Sequence, residues 1–164
     1  MLLLRVFLLI TAYSVYYHSV IKKLEEDKFW SSALFIYTTI VILMTIIPDS
    51  FALNIQKNLF TYPYDNLKPY HDLLLNRSGS IKDIVINIVM MIPFAFLFMK
   101  VKKTTMLKTI LITFALSLSI ELSQLFLSNI FLNHRYFDIT DLINNTVGGF
   151  LGTLLTKLKG VKFK

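Results

Sequence analysis

The sequence predicts an all-α fold, a polytopic membrane helical bundle of about five transmembrane helices forming a single domain over residues 1–164, with a candidate parallel repeat of helical hairpins. Three observations carry this reading. The 164-residue chain is 55% hydrophobic and only 16% charged, and its mean hydropathy is +0.61. A soluble domain of that size leaves much of its surface in water and has nowhere to hide so much apolar area. The charges fall between long apolar runs and not within them, as expected of membrane flanks. The composition argues against a water-soluble enzyme, and 14 Phe and 8 Tyr exclude a disordered chain.

The first run, Val6 to Ile21, has sixteen residues without a charge, and Arg5 is near enough to an end to snorkel toward headgroups. Its basic start and apolar body also suit a secretory leader. However, Tyr13, Tyr16, Tyr17 and His18 do not make a small-residue cleavage site, so the segment is read as a span. After a polar connector at 22–28, Phe29 to Pro48 gives twenty uncharged residues, enough to cross a hydrocarbon core of about 30 Å. The third run lies between Asp83 and Lys100. The fourth, Thr109 to His134, has Glu121 as its sole charge, and the fifth is Leu142 to Thr156.

Basic residues set the expected orientation. The connector at 22–28, the loop at 100–108 and the C-terminal tail hold eleven of the seventeen Lys and Arg, which predicts that they face the cytoplasm. The N-terminus and the segments at 49–82 and 133–140 then face outward. The net charge of +7 belongs to these flanks, and no nucleic-acid partner is expected. The outer segment at 49–82 interleaves Phe51, Phe60, Tyr62, Tyr64 and Tyr70 with turn residues, a pattern suited to lying on the outer interface. Membrane lipids are therefore the first expected partners.

The chain also resembles itself. Arg77-Ser-Gly-Ser-Ile-Lys-Asp83-Ile-Val-Ile-Asn87 aligns without gaps on Arg135-Tyr-Phe-Asp-Ile-Thr-Asp141-Leu-Ile-Asn-Asn145 at an offset of fifty-eight. Each segment stands between an inside-to-outside and an outside-to-inside span, so the repeat is parallel. Asp83 and Asp141 stand near helix starts, where capping and a functional role are both open. Asn87 and Asn145 fall four residues on, on the order of 6 Å deeper, beyond any capping role, and a buried amide needs partners.

The fourth span offers such partners. Ser117, Glu121, Gln124 and Ser128 form a polar stripe at i, i+4, i+7 and i+11. An ionised Glu at that depth is costly unless paired, and intramembrane carboxylates usually face interiors and serve function. Arg135, Asp138 and Asp141 stand just outside the fifth span, where a guanidinium offers a planar fork to phosphate or carboxylate. Gly148, Gly149 and Gly152 read as a close-packing stripe, and Pro93 as a bend in the third span. Zero cysteines exclude disulfides and thiolate chemistry. Asp138 and Asp141 carry no ligand signature, so no metal and no cofactor are expected.

Asn66-Leu67-Lys68-Pro69-Tyr70, then Asp83-x-x-x-Asn87 leading to Pro93-Phe94, then Glu121-x-x-Gln124, then Arg135-x-x-Asp138-x-x-Asp141-x-x-x-Asn145-x-x-Gly148-Gly149-x-x-Gly152 resemble the VanZ-like family over residues 60–152. Tyr70 replaces the usual Phe, and Ala95 a frequent Gly. The resemblance implies a multi-pass protein of the bacterial cytoplasmic membrane, related to one that lowers susceptibility to the glycopeptide teicoplanin.

Binding is assigned to Asn66, Asp83, Asn87, Glu121, Gln124, Arg135, Asp138, Asp141 and Asn145, in one chamber open to the outside. A lipoglycopeptide or a lipid-linked cell-wall precursor is the expected ligand. The first reading is binding or modulation of such an amphiphile. In the second, Glu121, Asp83 or Asp141 is a general acid or base in an envelope-lipid reaction with Arg135 stabilising developing charge; the third is transport of a small solute or ion. His18, His71 and His134 have no catalytic spacing.

Overall fold

A computed structural model describes residues 2–24, 27–47, 67–131 and 137–158, side chains at 128–131 excepted. The order is α1 (Leu2–Ser19), a short 3-10 turn at Ile21–Lys23, α2 (Lys28–Ile46), the one-turn α3 (His71–Leu74), α4 (Ser80–Lys102), α5 (Met106–Phe131) and α6 (Ile139–Leu158). No strand occurs among the described residues.

Among the described residues four stretches are long and apolar enough to cross a membrane: Leu2–Lys23, Lys28–Ile46, Ser80–Lys102 and Met106–Leu127. The fifth expected span, α6, has the length at 20 residues but is less apolar. Asn144, Asn145, Gly148, Gly149, Gly152, Thr153 and Thr156 all face inward and are buried. The chain is a helical membrane protein turned inside out relative to a soluble one. Leu3, Phe29 and Phe126 are 85%, 73% and 65% exposed, whereas Thr109, Thr113, Ser117 and Glu121 are at most 2% exposed. Lipid tails are as apolar as leucine, so in that solvent close packing and interhelical hydrogen bonds, not the hiding of apolar surface from water, hold helices together.

The glycines decide how α6 sits. A side chain at Gly148 would collide with the Ile88 carbonyl oxygen, and one at Gly152 with the Ile92 carbonyl oxygen. The α6 backbone therefore rests directly on the α4 backbone, as the Gly-x-x-x-Gly spacing predicts. On the other side a Cβ at Gly149 would come within 2.7 Å of Thr113 Cγ2 on α5. Thus α6 is wedged between α4 and α5. The buried threonines there satisfy their hydroxyls on their own helices: Thr113 donates to Thr109 O at 2.9 Å and Thr156 to Gly152 O at 2.9 Å.

An apolar cluster of Val41, Met91, Phe94 and Ile120 joins α2, α4 and α5. Close to Pro93, which has no amide proton to donate, Tyr37 Oη donates to the Met90 carbonyl at 2.7 Å. Helix α1 is peripheral and buries none of its residues. It is tied on by Arg5, which donates to the Ile47 carbonyl, a cation placed at the negative end of α2. At the opposite end of the bundle Lys100 Nζ lies 3.4 Å from the Trp30 ring centre, and Lys103 lies 3.9 Å from Asp27. The molecule has one lysine-rich end and one carboxylate-and-amide end.

Candidate functional site

The polar end begins with the start of α6. Asp138 is its N-cap: Asp138 Oδ1 accepts the Thr140 amide proton at 2.7 Å, satisfying a donor that the helix leaves orphaned. The capping role that the sequence left open at Asp83 and Asp141 thus falls to Asp138 in α6. Asp83 lies a full turn inside α4, whose N-cap is Gly79 at φ 94° with no side-chain cap bond. Asp141 faces sideways, where Asp141 Oδ1 accepts from Asn87 Nδ2 at 2.5 Å. Side chains on a helix lean toward its N-terminus, so Asn87 reaches up to the level of Asp141 and bonds α4 to α6.

Glu121 comes from α5 to the same place. It is 2% exposed, and its Oε2 accepts the Asp138 backbone amide at 3.0 Å. Two carboxylates are thereby set against the positive end of the α6 dipole, Asp138 by its side chain and Glu121 from the neighbouring helix. One turn deeper, Asn145 Nδ2 donates to Ser117 Oγ at 2.9 Å, closing a second bond between α6 and α5. The Asn145 Oδ1 and the adjacent Asn144 Nδ2 are buried without a hydrogen-bond partner among the described residues.

Tyr70 completes the frame. At φ 59° it begins α3, its amide donates to Thr140 Oγ1 at 3.0 Å and its hydroxyl to Asn144 Oδ1 at 3.2 Å. Read from sequence as an interfacial anchor, Tyr70 is half-buried and clamps the segment before α4 onto the first turn of α6. A cavity of about 120 Å³ opens beside it, lined among others by Tyr70, Asp72, Asp83, Asp138, Thr140 and Asp141. No group of three or more His, Asp or Glu side chains among the described residues is arranged to hold a metal ion.

The expected single chamber is therefore two layers. Asp83, Asp138 and Asp141 line the open acidic cavity, whereas Glu121, held on the Asp138 amide, and the deeper Asn145–Ser117 pair do not line it. Asn87 links the two through Asp141. Gln124 is turned elsewhere: its Nε2 donates to the Thr45 carbonyl, in the last turn of α2, at 2.9 Å. Asn66 and Arg135 lie outside the described residues. Sequence reasoning did not place Asp72, Thr140 or Asn144 in the site. Asn144 had a signal, since it stands three residues after Asp141 on an apolar helix; Asp72 and Thr140 had none.

Fold and site together define a polytopic helical membrane protein with a carboxylate-and-amide cluster at one end of the bundle. The chain belongs to the VanZ/LLP1 family, whose sequence model matches residues 34–160. That stretch contains the last thirteen of the nineteen residues of α2 and every later described helix, and it leaves α1 outside. No curated protein and no solved structure matches the chain.

Proposed function

We propose that the protein lowers susceptibility to teicoplanin-type lipoglycopeptides by binding or modulating an amphiphile or envelope component at the outer leaflet of the bacterial cytoplasmic membrane. The observation that carries the reading is the convergence of Asp83, Asn87, Glu121, Asp138 and Asp141 from three helices at one end of the bundle. Family membership supports the link to glycopeptide resistance. The lysine-rich opposite end supports an orientation with the acidic end outside and the C-terminus in the cytoplasm. Such a cluster receives cationic and hydrogen-bonding groups of an amphiphile while the surrounding helices accept its tail, and no covalent step is needed.

A second reading, chemistry on an envelope lipid, draws on the burial of Glu121, since a carboxylate held out of water suits acid–base work. Expression in a teicoplanin-sensitive bacterium tests the first reading. Wild type should raise the inhibitory concentration, and Glu121→Ala and Arg135→Ala should abolish the rise at unchanged membrane abundance; full resistance in both variants overturns it. Mass spectrometry of envelope lipids and cell-wall precursors separates the two. An identical inventory with and without expression fits binding, and a new or missing species that depends on Glu121 establishes the reaction instead.

A further inference from the structure

Two recesses of opposite character share a wall at the acidic end. The larger, about 740 Å³, has Arg77 and Lys82 as its ionic lining residues, with Ile81, Val85 and Ile86 on the same face of α4. Those three side chains are 66%, 51% and 48% exposed, so the recess continues into an outward apolar strip. The smaller is the acidic cavity, with Asp72, Asp83, Asp138 and Asp141 on its lining. Leu73 and Ser80 line both. The Arg77–Asp72 ion pair, at 2.6 Å and about half exposed on each side, joins the cationic recess to the anionic one.

We infer that the paired recesses seat a phospholipid whose headgroup carries both a phosphate and a primary ammonium. The phosphate faces Arg77 and Lys82, the ammonium enters among Asp72, Asp83 and Asp141, and one acyl chain lies along Ile81, Val85 and Ile86. The charges select this occupant. A guanidinium and an ammonium beside an apolar strip suit a lipid phosphate. A headgroup with phosphate alone would leave the neighbouring carboxylates repelling it and one another, whereas an ammonium supplies three donors to acceptor-only oxygens. The volume of the larger recess is within the usual range for small-ligand sites, roughly 300–1,000 Å³. An exposed ion pair contributes little to stability, so the Arg77–Asp72 pair opens at small cost to share its partners with the lipid.

The inference rests on the reading of the acidic end as a site for envelope amphiphiles and names its lipid class. It is tested by native mass spectrometry on the full-length protein in detergent, titrated with phosphatidylethanolamine and phosphatidylglycerol of identical acyl chains. Phosphatidylethanolamine should bind about tenfold more tightly, the scale of one charge-assisted contact. Asp83→Asn should bring it to the phosphatidylglycerol level, and Lys82→Gln should weaken both lipids. Glycerophosphoethanolamine, the same headgroup without tails, should fail to compete. Equal affinity for the two lipids, unchanged binding in both variants at native helicity, or full competition by the tailless headgroup overturns the proposal. Lipid selectivity in a protein without effect on teicoplanin susceptibility would sink the resistance reading alone. Absent selectivity with the resistance effect intact would sink this proposal alone.

Discussion

Asp138 carries two connections at once: its side chain caps α6, and its backbone amide holds Glu121. Asp138→Ala should lower unfolding stability by about 1 kcal/mol, the usual worth of a cap, whereas Asp138→Asn, which also caps, should cost only a fraction of that; denaturant titration in mild detergent reads both. Glu121→Gln keeps an acceptor for the Asp138 amide and removes the charge, so it should fold as wild type, and any loss of function in it belongs to the charge. At this scale the sequence showed residue types better than directions. The polar stripe on α5 was legible from Ser117 and Glu121, but its buried continuation runs through Thr113 and Thr109 toward the other end. Gln124 leaves the stripe to reach the Thr45 carbonyl of α2, and nothing in α5 itself announces α2.

The decisive element is α6. Its glycines permit backbone contact with α4, so Gly148→Leu or Gly152→Leu must push the helices apart, with an expected loss of 2 kcal/mol or more, in the range for overpacked cores. The same substitution at the exposed Val147 should be near neutral, and thermal unfolding followed by circular dichroism compares them. The glycine spacing made this packing legible before any coordinates. The two matching segments of the fifty-eight-residue repeat lead into α4 and α6, which pack against each other. The repeat is not reciprocal at the level of bonds, however: Asn87 reaches Asp141, but Asn145 reaches Ser117 on α5. Side-chain partners depend on which third helix lies alongside, and an internal alignment carries no record of that. The count of spans was harder to read for the same reason, because α6 hides a polar face among its neighbours and is less apolar than the other long helices.

Across the whole molecule the lysine-rich and acidic ends make orientation measurable, and the absence of native cysteine leaves a clean background for labelling. Lys82→Cys should react with an impermeant thiol reagent on intact cells, and Lys102→Cys only after permeabilisation; the reverse pattern would invert the topology and place the acidic cluster inside. The central claim is that the acidic end, not the helical frame, produces the effect on the envelope. Its most direct test is the teicoplanin inhibitory concentration for cells expressing wild type, Asp141→Ala and the basic-end variant Lys102→Gln at matched membrane abundance. Asp141→Ala should fall to the level of cells without the protein while Lys102→Gln stays with wild type. Full protection by Asp141→Ala would contradict it.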